Sequence, residues 1–181
     1  MIQYEVWWTM PSETLDRFQT ERLIAERLEE RHFDLIRLMH QNEKVMALLG
    51  GTRRDNQTME YMERNLTHWA EHGYGIWILR DRATEQFVGR GGLRRTLLDG
   101  TPEVEVAYGL MPEFWNRGLA TEFTTAIARI ASENLGLFDI VSYTLPENIA
   151  SRRVMEKTGF LYERDILHNG TPHVLYRHLL V

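Results

Sequence analysis

The order of apolar periodicities predicts an α/β (α+β) domain with a central mixed β-sheet flanked by helices, and three features carry that reading. The first is a run of strand patterns, residues 74–80, 86–93 and 103–110, with no helix pattern between them. Strands joined this closely form an antiparallel meander. The second is an amphipathic helix pattern over residues 119–135, placed between the strand that ends at Leu110 and the next strand, 138–145. A crossover helix joins parallel neighbours, so one parallel pair sits inside the sheet. The third is Asn169-Gly170 between the patterns 160–167 and 174–180, a strong hairpin marker.

The remaining elements follow in chain order. Residues 23–28 read as a strand, and 30–40 as a helix because Phe33, Ile36 and Met39 recur at helical spacing. Gly50-Gly51 then breaks the chain. Met59, Met62, Leu66 and Trp69 mark a second helix, with Asp55 or Asn56 as N-cap and Gly73 as its stop. Asp99-Gly100 turns the chain between the last two strands of the meander. Phe123, Ile127, Ile130 and either Asn134 or Leu135 line one side of the crossover helix, and Asn148 caps a short helix that closes at Gly159. No internal repeat or low-complexity linker interrupts residues 20–181, which read as a single domain behind an N-terminal arm, residues 1–19. Trp7 and Trp8 in that arm are costly to leave in water. The arm is expected to pack on its own domain or on a neighbouring subunit, the second case implying a homodimer.

Composition bounds the function. A chain of 181 residues, 43% hydrophobic and 26% charged, can bury a sizeable core. With no cysteine, it has no disulfide, no thiolate metal site and no cysteine acyl-enzyme. A net charge of −5 argues against a broad nucleic-acid surface and for cationic acceptors such as amines. No run is long and apolar enough to span a bilayer, and residues 1–8 lack the basic opening of a signal peptide, so cytoplasmic residence without a membrane partner is expected.

Chemistry concentrates at Trp115-Asn116-Arg117-Gly118-Leu119-Ala120-Thr121-Glu122, where a strand pattern passes into a helix pattern. A helix start offers about four free backbone N–H groups with the positive end of the helix dipole behind them, which suits a pyrophosphate. Gly118 lets the backbone come close. A second segment runs from Asn148 through Ser151, Arg152, Arg153 and Met155 to Glu156-Lys157-Thr158-Gly159-Phe160. Together the two segments resemble the GNAT acetyltransferase superfamily, and within it the RimJ/RimL-type protein N-acetyltransferases. Thr20-Glu21-Arg22-Leu23-Ile24 is similar to that branch's entry into its first strand, so the resemblance runs from Thr20 to Val181. It implies a GNAT fold with a splayed sheet and acetyl-CoA as cosubstrate. The first segment resembles the family's Gln/Arg-x-x-Gly-x-Gly/Ala loop, in which Gly118 and Ala120 match and Trp115 replaces Gln or Arg. Arg117, Gly118, Leu119, Ala120 and Thr121 are thereby expected at the pyrophosphate. The backbone of Ala107, Tyr108, Gly109 and Leu110 is expected to align the pantetheine, with Asn148 and Arg153 also on the cofactor side.

The resemblance likewise implies the catalytic pair. Many family members protonate the departing thiolate with a Tyr four residues after the place held here by Ser151, but Met155 stands there and cannot donate a proton. In the RimL-like branch a Ser takes that role, and Ser151 matches it. Glu103 and Glu105 alternate with Val104 and Val106 on one strand face, which also suits a solvated surface. By its place in Glu-Val-Ala-Tyr-Gly-Leu, Glu105 resembles the branch's strand Glu and is the preferred base for an incoming ammonium, with Glu103 second. Two other strings carry weaker chemistry. Gly89-Arg90-Gly91-Gly92 has Arg94 where a dinucleotide fingerprint needs its third glycine, so a bulge or close strand contact is expected. His68-Trp69-Ala70-Glu71-His72 matches an inverted zincin string, but Gly73 ends its helix at once and no third ligand can be placed, so no metal is assigned. The expected function is N-acetyl transfer to a protein N-terminal amine. Small amines (aminoglycosides or polyamines) and a non-catalytic acyl-CoA-binding module are the alternatives.

Overall fold

The computed structural model describes residues 15–180. Trp7, Trp8 and the expectations placed on the start of the arm lie outside them. Eight strands form one sheet in the order β1-β2-β3-β4-β5-β6-β8-β7. They are β1 (Arg17–Gln19), β2 (Leu23–Arg27), β3 (Ile76–Asp81), β4 (Phe87–Leu98), β5 (Thr101–Leu110), β6 (Asp139–Thr144), β7 (Leu161–His168) and β8 (Thr171–Leu179). The helices are α1 (Phe33–Gln41), α2 (Glu43–Met46), α3 (Asp55–His72), α4 (Leu119–Glu133) and α5 (Ile149–Lys157). All pairings are antiparallel except β5 with β6, where α4 makes the expected crossover. That pair meets only at Glu105 and Val141. Beyond this register the strands part, so the sheet is mixed and splayed as expected.

Several elements differ from the sequence reading. Arg17–Gln19, placed in the arm, pairs with β2 at the sheet edge and sends Phe18 into the core, 5.5 Å from the Trp77 ring. A short 3-10 turn, Glu30–His32, precedes α1, and α2 follows with Asn42 capping the Val45 N–H. The N-cap of α3 is Arg54, one residue before Asp55, and its backbone N–H bonds to the Gln57 side chain. The Gly73 stop holds, with a left-handed φ of 71° and its N–H on the Trp69 carbonyl. β4 runs on through Arg94, Arg95 and Thr96 to a tight turn at Asp99 and Gly100, whose φ values of 49° and 82° both lie in the left-handed region a type I′ hairpin needs. Asn169 and Gly170 repeat that geometry between β7 and β8.

The core explains how the faces are assigned. Phe123 and Ile127 of α4 are fully buried on one side of the sheet, and a side chain at Gly91 would collide with the Phe123 ring. On the other side, a Cβ at Gly109 would meet the Met39 methyl of α1. Period-2 alternation therefore puts Arg90, Arg94, Glu105 and Gly109 toward α1 and α3, and Gly91 and Tyr108 toward α4 and α5. β4 registers Leu79 against Gly89 but Arg80 against Phe87, so an extra residue bulges beside the glycine string. A side chain at Gly89 would strike the Gly109 carbonyl oxygen. The glycines there serve close backbone approach.

Candidate active site

The open end of the sheet lies between β5 and β6, at the start of α4. The Met111 N–H bonds to the Val88 carbonyl, and alternation turns the backbone of Leu110 and Tyr108 away from β4 into the gap. The Leu110 carbonyl on that side is taken by the Trp115 indole N–H at 2.7 Å. Trp115, where the family loop carries Gln or Arg, is thus a brace for the turn. Gly118 is the N-cap of α4, with φ 75° and no side-chain cap, and the first intrahelical bond is that of the Glu122 N–H to the Gly118 carbonyl. The N–H groups of Leu119, Ala120 and Thr121 therefore have no acceptor among the described residues. The Leu119 side chain is buried in the core, so only its backbone faces the turn.

A set of hydrogen bonds missed from sequence holds this turn. Glu122 accepts from the Thr20 hydroxyl, from the Arg22 N–H at 2.8 Å and from Arg22 Nε at 2.7 Å. Arg22 Nη1 then donates to the Arg117 carbonyl at 2.8 Å. The Arg117 guanidinium lies 5.6 Å from the Phe114 ring centroid. These contacts hold the Glu122 carboxyl below its ordinary range despite burial. Thr20 and Arg22 thus pin the α4 start against the β1–β2 connection.

Glu105 and Ser151 sit on opposite faces of β5. Glu105 is 4% exposed, and its two oxygens accept from Arg94 Nε at 2.8 Å and Nη2 at 3.3 Å. Glu105 in turn holds the Arg94 guanidinium firmly charged. The ion pair spans adjacent strands at the register Arg94↔Glu105, which the sequence reading did not foresee because it ended β4 at Leu93. Glu103 is bound by Arg177 at 2.7 and 3.0 Å, and Arg177 also contacts Asp139 and Glu163. Glu103 therefore belongs to a network that ties β5 to β6, β7 and β8.

Across the strand, Asn148 accepts the Ser151 N–H at 3.2 Å and donates to the Thr144 hydroxyl, which fixes the first turn of α5. Ser151 Oγ lies 2.9 Å from the Tyr108 hydroxyl, and that hydroxyl also donates to the Ser151 carbonyl at 3.2 Å. Burial pushes the Tyr108 phenol up to about 12, against the opposing effect of the Ser151 bond, so it keeps its proton at neutral pH. Tyr108 was expected to act only through its backbone. The clue in the sequence is its odd spacing from Glu105, which sends the phenol to the face where Ser151 stands. Arg153 is exposed and makes no side-chain bond among the described residues, whereas Arg152 is anchored to Tyr176 and the Pro146 carbonyl. His68 is committed to structure, with Nδ1 on the Tyr74 carbonyl and Nε2 accepting the Arg95 N–H, both at 2.9 Å.

Residues 22–161 match the family model described as the acetyltransferase (GNAT) domain. The chain belongs to the GNAT acetyltransferases. This family uses acetyl-CoA, and the protein is an acyltransferase. A GNAT-family acetyltransferase from Bordetella pertussis has the same fold at a TM-score of 0.79, with 22% identity over 90% of this chain and 98% of that one. RimL, described as a ribosomal L7/L12 alpha-N-protein acetyltransferase, in complex with coenzyme A, superposes at 0.75 with 13% identity over 89% and 96% of the two chains. Spermidine N-acetyltransferase from Vibrio cholerae, in complex with CoA and spermine, follows at 0.71 with 18% identity over 87% and 95%. RimL is one neighbour among several, so membership of the GNAT family is shown without its RimJ/RimL branch. The open β5–β6 gap and the side-chain-free N-cap at Gly118 fit a pantetheine arm and a pyrophosphate, respectively.

Proposed function

We propose that this GNAT acetyltransferase moves the acetyl group of acetyl-CoA to a primary amine by direct attack, with Glu105 and Ser151 as base and acid. The observation that carries the reading is their placement on opposite faces of β5 beside the open gap, because the attacking nitrogen and the departing sulfur are different substituents of one tetrahedral carbon and need separate proton-transfer groups. The pyrophosphate would rest on the N–H groups of Gly118, Leu119, Ala120 and Thr121, with Arg117 and Arg153 as its cationic side chains. The gap-facing backbone groups of Tyr108 and Leu110 would align the pantetheine and receive the developing oxyanion, with Ala107 and Gly109, expected there from the resemblance, turned toward β4 instead, and Asn148 would hold Ser151 in place.

In this scheme the amine nitrogen loses a proton toward Glu105 and attacks the thioester carbon. Each Glu105 oxygen gives one lone pair to Arg94, and a remaining lone pair takes the proton directly or through one water. When the C–S bond breaks, Ser151 Oγ supplies a proton to the sulfur and takes one in turn from Tyr108, which is reprotonated by the second proton the nitrogen loses as the amide forms. With no cysteine in the chain, no thiol is available to carry the acetyl group as a thioester. A protein N-terminus is the leading acceptor, on the resemblance of the Asn148 to Phe160 segment to the RimL-like branch. A small-molecule amine is the second reading, favoured by the likeness to the spermidine enzyme. Acetyl-CoA consumption measured across N-terminal peptides, polyamines and aminoglycosides separates the two. CoA binding with no turnover on any of them would instead favour a non-catalytic binding module.

A further inference from the structure

The face of the sheet that carries Glu105 also holds a buried arginine, Arg90, with no counter-ion among the described residues. Arg90 stands on β4 opposite Gly109 and is 5% exposed. Its Nε is sealed from solvent with no hydrogen-bond partner, and no acceptor or carboxylate among the described residues contacts its guanidinium. A buried guanidinium left this way is costly, since removing a cation from water is offset only by an anion or by hydrogen bonds. Its one recorded partner is the Tyr61 ring of α3, 5.3 Å from centroid to guanidinium carbon. Arg53, from the connection between α2 and α3, lies 5.4 Å from the same centroid. The two cations thus share one aromatic ring.

The surroundings add positive charge. The charged groups with the largest effect on Arg53 include Arg90, Arg64 and Arg94, and burial first, then Arg90, lower the Arg53 guanidinium. Arg53 Nη1 approaches His40 Nε2 at 3.3 Å, while His40 Nδ1 faces the Thr58 hydroxyl at 3.0 Å. Burial first, then Arg53 and Arg90, push that imidazole down to about 3, so it stays neutral and accepts from Arg53. Of the two β5 carboxylates on this face, Glu105 is held by Arg94 and Glu103 by Arg177. Arg53 also lines an open depression with Gln41, Glu43, Thr52, Arg54 and Gln57, which gives the cluster a solvent side.

We propose that Arg90 and Arg53 form an anion site for the acceptor, and that the acceptor is an amine bearing a carboxylate close to its nitrogen. The proposal rests on the acetyl-transfer reading of the Glu105 face and names its substrate class. Paired guanidinium groups match a carboxylate through charge-assisted bonds, and the same field repels a polyamine, which carries only positive charge. A free amino acid and a peptide that begins with an acidic residue both present this chemistry.

The test uses matched pairs of amines: short α- and ω-amino acids against their primary amides, and peptides with N-terminal Asp or Glu against Asn or Gln. Each is titrated into the CoA-saturated protein by calorimetry and assayed for acetylation. The acids are expected to exceed their amides by about tenfold or more in both readouts, the factor that one charge-assisted hydrogen bond supplies. Arg53→Gln should bring each pair to parity with acetyl-CoA affinity unchanged. Arg90→Gln should do the same, with circular dichroism reporting its fold, and the half-exposed Arg53 variant keeps the test valid if it unfolds. A preference among the amino acids alone would assign the free acid, and one among the peptides the acidic N-terminus. Equal amides and acids, or a preference that survives Arg53→Gln, would overturn the anion site. Acids that bind through Arg53 but are never acetylated would uphold the site and overturn the acceptor reading on which it rests.

Discussion

The Ser151 and Tyr108 hydroxyls are hydrogen-bonded at 2.9 Å, and their substitution should separate chemistry from binding. Ser151→Ala is expected to lower turnover by about a hundredfold with little change in acetyl-CoA affinity, because it removes the hydroxyl proposed to protonate the leaving sulfur. Tyr108→Phe should cost less, about tenfold, since Ser151 would still donate and only its resupply would slow. Stopped-flow turnover beside calorimetric affinity checks both; a loss of affinity equal to the loss of rate would make them structural residues. Glu105→Gln should abolish the fall in rate toward acid pH, since the base must be ionised to accept a proton. His40 supplies a pH effect on stability. Its folded pKa is depressed to about 3 against an ordinary 6.5, so the unfolded chain binds the proton more readily between those values. Stability is then complete above pH 6.5 and declines as pH falls toward 3. His32 and His68, also lowered by burial, act in the same direction. Urea midpoints should drop between pH 7 and pH 4.5 (approximate settings), and His40→Gln should make that drop shallower.

The start of α4 shows how several segments define one binding turn. Gly118 has a left-handed φ of 75°, but its Cβ position has only Arg22 nearby, at 3.5 Å. Gly118→Ala should therefore cost about 1–2 kcal/mol of backbone strain, while Gly118→Val adds a branched group over the free N–H donors and should abolish CoA binding. Glu122→Ala should cost about 1–3 kcal/mol and weaken CoA binding, because Arg22 loses the carboxylate that aims it at the Arg117 carbonyl. Thermal melts and calorimetry on the three variants check these values. Elements with strong local chemistry were legible in sequence: the Gly73 stop, the Asn148 cap and the Asn169-Gly170 hairpin all stand where periodicity and turn residues put them. Those that rest on tertiary pairing were not. β1 has three residues and α2 has four, too few to show a period, and the polar Arg94-Arg95-Thr96 stretch is a strand because Arg94 finds Glu105 across the ladder.

At the scale of the molecule, the splayed sheet converts one crossover connection into a site with two distinct sides. Resemblance named the Gly118 turn and the Glu105 and Ser151 candidates, since each lies within a short motif. It could not locate Arg90 with Arg53, nor Arg22 with Glu122, because those groups are far apart in the chain and meet only through the fold. Net charge is equally silent on such local pairs: a chain of −5 overall still sets Arg53 and Arg90 on one ring, Tyr61. The central claim is direct transfer of acetyl from CoA to an amine across β5. Intact-protein mass spectrometry after rapid mixing with acetyl-CoA, with and without acceptor, tests it most directly. Direct transfer predicts that CoA release and acetylated amine appear together and only with acceptor, while the protein mass stays constant. A protein that gains one acetyl group before acceptor is added, and loses it when acceptor arrives, would contradict the account.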